Sequence, residues 1–217
     1  MGILNSSLNI LFTPKCVFCR KPLRDDKTGV CPACSGSLPR TFDGGHMKTE
    51  QISDCVAPFY YEGVVRDSLL RYKFKNCTGY SKTYGAFLAE CIRENLYGKY
   101  DFISWVPLSG RDYKERGYDQ AMLLAMATAL ELDDVAVATL EKPHNVARQS
   151  SLNSAEKRRE NIHGAYTVPD EELVRGKRIL LIDDIVTTGS TLSECARMLR
   201  RAGAEDVLCA AVARAKE

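Results

Sequence analysis

The stretch "ILLIDDIVTTGST", residues 179–191, sets four apolar residues directly before two adjacent carboxylates. Two more apolar residues follow, then four hydroxyl side chains around one glycine. The unbroken run Ile179, Leu180, Leu181 and Ile182 predicts a central parallel strand, since a strand with one wet face would alternate. A strand that turns into a helix presents unpaired backbone N–H groups and a partial positive charge at the turn. Gly189 lets the backbone approach an anion closely, and the hydroxyls of Thr187, Thr188, Ser190 and Thr191 can donate to phosphate oxygens. Asp183 and Asp184, just upstream, are suited to accept from the vicinal hydroxyls of a ribose. A ribose 5-phosphate fits the whole stretch. A plain capped helix after a strand would explain the hydroxyls but not the carboxylates beside them. The loop is neither a Walker A sequence, since no GKS or GKT follows, nor a GxGxxG turn.

Outward from this stretch the chain alternates. "CVAPFYY" reads as a strand, "VVRDSLLRYKFK" and "SKTYGAFLAECIRENL" as helices, and "FISWVP" as a strand ending at Pro107. "LSGRDYKERGYD" reads as a polar loop feeding the helix "QAMLLAMATALEL"; "VAVATL" follows as a strand. A long polar stretch, residues 141–154, then precedes a short charged helix, "SAEKRRENI", and a strand, "AYTV". Its length without secondary structure marks it as a lid. Leu192, Cys195, Ala196 and Leu199 form a helix stripe closed by Gly203, and "DVLCAAVAR" ends the pattern as a strand. Strands alternating with helices imply a mostly parallel sheet, whose ligands bind beyond the carboxyl ends of its strands.

Near the start, "CVFC" (16–19) and "CPAC" (31–34) form two CxxC pairs separated by eleven residues. Cys16, Cys19, Cys31 and Cys34 can complete a tetrahedral four-thiolate zinc site, structural because no coordination position stays open. So short a piece has too little apolar surface to fold alone, and metal ligation would supply the missing free energy. His46 is a more distant substitute ligand. The other five cysteines are scattered singly, as small buried hydrophobes are. The odd total of nine does not suggest a disulfide framework. Three parts follow: a zinc knuckle over 1–40, a Gly- and Pro-rich linker with little structure over 41–54, and an α/β domain over 55–217. A net charge of +2 gives no argument for nucleic acid. No apolar run reaches the roughly 20 residues of a membrane span. The N-terminus lacks a basic region before its apolar residues, so the cytoplasm is the expected location.

The 179–191 stretch resembles the phosphoribosyl pyrophosphate (PRPP) signature of type I phosphoribosyltransferases at every position. The cysteine knuckle, "VPLSGRDYKERGYDQAMLLA", "RQSSLNSAEKRRENIHGAYTV" and the terminal "AVAR" resemble one branch of that superfamily, the ComF (competence protein F) family. The resemblance implies the type I phosphoribosyltransferase fold. It makes Asp183 and Asp184 the ribose contacts and catalytic carboxylates, and Ile185 and Val186 the link to a 5-phosphate cradle of Thr187, Thr188, Gly189, Ser190 and Thr191. It puts a pyrophosphate loop at Leu108, Ser109 and Gly110, with Arg111, Lys114 and Arg116 as its cations. Arg148 and Gln149, on the lid, would reach in; neither His144 nor His163 is expected to act.

The implied chemistry is Mg²⁺-dependent transfer of a phosphoribosyl group from PRPP to an unidentified acceptor, the metal being carried chiefly by the substrate. Thr187 stands where purine-salvage relatives have an acidic residue, which counts against hypoxanthine or guanine as acceptor. No glutaminase nucleophile is present at the N-terminus. Two other readings stand beside a transferase. One is a PRPP- or nucleotide-binding regulator without turnover; the other is an accessory protein of DNA uptake that touches single-stranded DNA or a competence helicase. The sequence does not set the oligomeric state; a monomer is compatible with it.

Overall fold

A computed structural model describes residues 13–23, 28–143 and 165–216. The chain forms α1 (Pro32–Ser35), a 3-10 turn (Asp43–Gly45), β1 (Asp54–Val56), β2 (Phe59–Tyr60), α2 (Gly63–Phe74) and α3 (Tyr80–Asn95). It continues through β3 (Phe102–Trp105), α4 (Gly110–Arg116), α5 (Gln120–Leu132), α6 (Glu171–Val174), β4 (Arg178–Val186), α7 (Ser190–Arg201) and β5 (Asp206–Arg214). The sheet order is β1-β5-β4-β3, and β2 continues the β1 edge along β5. Every paired strand is parallel.

The apolar run of β4 lies between its two neighbours and feeds two cores. Leu180 and Ile182 face Val65, Leu69 and Tyr72 of α2, Leu88 and Ile92 of α3, and Leu124 of α5. Ile179 and Leu181 face Leu192, Cys195, Ala196 and Leu199 of α7. Successive side chains of a strand point to opposite faces, so a strand covered on both sides must be apolar at every position. Leu181 is fully buried. Leu181→Ala is therefore expected to lower unfolding free energy by ~3 kcal/mol in urea titration; a loss below ~1 kcal/mol would contradict its central packing.

Three strand expectations are corrected. "CVAPFYY" splits into β1 and β2 because Pro58, between them, has no N–H to give the ladder. The register along β5 is nonetheless kept, Val56 pairing with Ala210 and Phe59 with Ala213. "VAVATL" makes only a parallel bridge from Ala136 to Ile103 at the edge of the four-residue β3, and "AYTV" only the bridge from Thr167 to Glu141. The expected loop over 108–119 contains α4, whose first turn Ser109 caps: its Oγ accepts from the Asp112 amide at 3.1 Å.

The N-terminal module joins the core on the α2/α3 face. Cys16, Val17, Phe18, Cys31 and Cys34 belong to the same apolar cluster as Leu180 and Ile182. Phe18 packs edge-on against Phe59, with ring centres 5.9 Å apart. Residues 41–54, read as a linker, are pinned to the sheet. His46 Nδ1 lies 2.8 Å from the Asp54 carboxylate, Met47 bridges to Cys55, and Ile52 is fully buried.

Candidate functional site

The strand β4 does not stop at the carboxylates. It runs through Val186, paired with β5 as far as Arg214, so Asp183 and Asp184 lie inside the ladder and not beyond its end. Neither carboxylate is fully exposed. Alternation sends them to opposite faces. Asp184, 5% exposed, lies on the α2 face, where Lys73 Nζ sits 2.9 Å from its Oδ1. Asp183, half-buried, lies on the α7 face, where burial, reinforced by its charge, raises the Tyr166 hydroxyl and the Cys195 thiol. Burial, reinforced by the Asp184 charge, pushes Asp183 up to about 7.

After β4, Thr187 and Thr188 are exposed, while Ser190 and Thr191 are half-buried. The Thr188 and Ser190 hydroxyls lie 2.8 Å apart. Gly189 is the N-cap of α7 with φ +71°, the left-handed region in which glycine is at ease. As a glycine, the N-cap residue has no side chain to cap this helix, and the Ser190 amide donates to the Thr188 hydroxyl at 3.4 Å. A Cβ at position 189 would lie 2.9 Å from Met47 Cε, so the 41–54 segment packs directly behind the turn.

The candidate pyrophosphate loop follows β3. Leu108, Ser109 and Gly110 are half-buried, and Arg111 and Lys114 are exposed on α4. Arg116 is engaged: its guanidinium lies 5.3 Å from the centre of the Phe74 ring and donates to Gln120 Oε1 at 2.9 Å. Arg148 and Gln149 fall outside the described residues, as do His144 and His163.

Two residues of this neighbourhood escaped the sequence reading. Asp119, 8% exposed, caps α5 by accepting from the Met122 amide at 3.0 Å, and its other oxygen accepts from the Leu108 amide at 3.2 Å. One carboxylate thus ties the loop after β3 to a helix start. Burial raises its pKa, while the amides it accepts from oppose the shift. Lys73 is the second. Burial disfavours its charge, yet the carboxylates of Asp184 and Asp183 outweigh that and raise its pKa. A signal for Lys73 existed. It stands four residues after Leu69, on the edge of the stripe formed by Val65, Leu69 and Tyr72, where a charge demands a partner.

The cysteine cluster belongs to the N-terminal module. The four Sγ atoms of Cys16, Cys19, Cys31 and Cys34 all fall within 4.8 Å of one another, and those of Cys19 and Cys31 are 3.6 Å apart. Tetrahedral zinc with Zn–S bonds of about 2.3 Å requires sulfurs about 3.8 Å apart, so the donor set fits such an ion in number, chemistry and spacing. His46 is not part of it: its ring bridges Asp54 and Asn95.

A family model described as phosphoribosyl transferase domain matches residues 119–217. The competence protein ComFC of Streptococcus pneumoniae is 32% identical over 85% of this chain and 87% of its own length. The DNA utilization protein YhgH of Escherichia coli O157:H7 is 31% identical over 88% of this chain and 86% of its own length. A solved glutamine PRPP amidotransferase from B. subtilis, complexed with ADP and GMP, superposes with a TM-score of 0.46 at 22% identity. That superposition covers 64% of this chain and 30% of the other. No helix among the described residues is long and apolar enough to cross a membrane.

Proposed function

This chain belongs to the ComF family, with the type I phosphoribosyltransferase fold and a four-cysteine cluster that could hold a metal ion, and we propose that it binds PRPP with Mg²⁺ and transfers the phosphoribosyl group to an acceptor. The observation that carries the reading is the run from β4 into α7. Two carboxylates lead within a few residues to a hydroxyl-rich turn that opens α7 on a glycine N-cap. The carboxylates accept from the ribose hydroxyls, while Thr187, Thr188, Gly189, Ser190 and Thr191 cradle the 5-phosphate. The loop at Leu108, Ser109 and Gly110, with the exposed cations Arg111 and Lys114, receives the pyrophosphate. Mg²⁺ carried on the substrate would supply charge neutralisation for the leaving group.

In the transfer, the bond from C1 to the pyrophosphate oxygen breaks with its electron pair leaving on pyrophosphate. A bond from the acceptor nucleophile to C1 forms, and the acceptor loses its proton. The protein positions the reactants, supplies charge and excludes water. Thr187 in place of a carboxylate argues against hypoxanthine or guanine as acceptor. The four-cysteine cluster takes zinc in a structural role. A role in DNA uptake is proposed from the relatives' names, through single-stranded DNA or a helicase partner, and is compatible with either turnover or regulation.

Pyrophosphate release separates a transferase from a regulator. With Mg²⁺ and PRPP present, release is expected only when an acceptor from a panel of bases and amines is added. Tight PRPP binding with no release for any acceptor would leave the regulator reading standing.

A further inference from the structure

The reading above leaves the buried ion pair of Lys73 and Asp184 without a task. The two side chains are 21% and 7% exposed and their charged atoms lie 2.9 Å apart. As a structural device it is poor: taking both charges out of water costs much of what their attraction returns, and two apolar residues would hold α2 to the sheet as well.

Its surroundings suggest another use. Lys73 lies between two contacts that fasten the end of α2 to the segment running from the end of α4 into α5. The Tyr72 hydroxyl donates to the Gln120 carbonyl at 2.9 Å, and the Phe74 ring packs against the Arg116 guanidinium at 5.3 Å. That segment includes Asp119, which holds the Leu108 amide of the candidate pyrophosphate loop. The Lys73 ammonium therefore stands at the junction of the β4 carboxylates and this loop. Among the described residues, Arg116 is the second cation felt there, and its charge acts on Lys73.

We propose that Lys73 is a pyrophosphate-binding residue, held on Asp184 in the free protein and handed to the pyrophosphate oxygens when ribose hydroxyls take over that carboxylate. The inference rests on the reading of the site as a PRPP site. An ammonium has three donors on a flexible four-carbon stem, so it can turn toward a phosphoryl oxygen without moving α2. The ribose hydroxyls donate to Asp184 as the ammonium withdraws, and neither buried charge is left unpaired. No covalent step is involved.

Calorimetry on the full chain in Mg²⁺ tests this with three ligands: PRPP, inorganic pyrophosphate and ribose 5-phosphate. Lys73→Met is expected to weaken PRPP and pyrophosphate by about tenfold or more while ribose 5-phosphate changes by less than about twofold, and Lys73→Arg should restore most of the loss. Equal weakening of all three ligands, or of none, overturns the proposal and leaves Lys73 a structural residue. Wild-type protein that binds none of the three fails the PRPP reading itself. Should Lys73→Met not fold, the ¹⁵Nζ resonance of Lys73 in wild-type protein decides. Saturating Mg-pyrophosphate is expected to shift it, and an unmoved resonance overturns the assignment.

Discussion

Asp183→Asn/Asp184→Asn is expected to abolish saturable PRPP binding in Mg²⁺, a loss of at least about 100-fold by calorimetry. A hydrogen bond to a carboxylate contributes about 1.5–3 kcal/mol, and asparagine keeps the shape while removing the charge and adding donors. Identical heats from wild type and the double variant, without saturation in either, would remove the site assignment.

The single variants are expected to part company, because their carboxylates lie on opposite faces of β4. Asp183 sits at about 7, pushed up by burial and then by Asp184. A carboxyl raised in the folded state contributes most below its unfolded pKa and loses that contribution as pH rises through the folded one. At pH 8 the folded protein therefore carries a charge it disfavours. Asp183→Asn should melt higher than wild type there by roughly 2–8 °C, with the gap closing toward pH 4. Asp184→Asn should melt lower at pH 8, because it leaves the Lys73 ammonium buried without its carboxylate. Equal shifts in the same direction would contradict the two-face arrangement. PRPP affinity in wild type should rise as pH passes about 7, since hydroxyls donate to the ionised Asp183.

Cys16→Ser/Cys19→Ser is expected to lose the bound zinc and to lower the melting temperature of the whole protein by roughly 5 °C or more. The size follows from packing. Zinc on the four thiolates would order the turn that carries Val17 and Phe18, and these are not a free appendage. The Val17 carbonyl accepts from Ser68 and Arg71 of α2, the Phe18 carbonyl accepts from Arg71, and the Phe18 ring lies between Phe59 and Tyr84. Zinc content by atomic absorption and a thermal melt check the two halves separately. Full metal retention in the variant would sink the four-thiolate site. Loss of metal with an unchanged melt would mean that the module and the sheet are energetically independent.

The features legible in the sequence share one property: their partners are close along the chain. Strand, turn and helix are contiguous in 179–191, so the hydrophobic run, Gly189 and the hydroxyls declare themselves together. The two CxxC pairs declare their sulfurs the same way. Local reading failed where a short strand needed a neighbour to complete it, as with "VAVATL" beside the four-residue β3. It failed again where polar composition hid a capped helix, as at Ser109 and Asp112. The 41–54 segment was opaque for a related reason: its long-range anchors, Ser193 and the carbonyl-seeking Arg214, lie on elements that the segment itself does not contain.

The sequence alone determined that the chain builds a doubly covered parallel sheet, that a hydroxyl-rich glycine turn follows its central strand, and that four thiols near the start suit one metal. Tertiary structure alone decided what each carboxylate faces. The two-residue period of a strand sends Asp183 toward α7 and Asp184 toward α2, and the helix packing there selects Lys73 as partner. Charge pairing across a fold depends on which helix face meets which strand, and that is settled by burying apolar stripes far apart in the chain, not by the residues beside the charge.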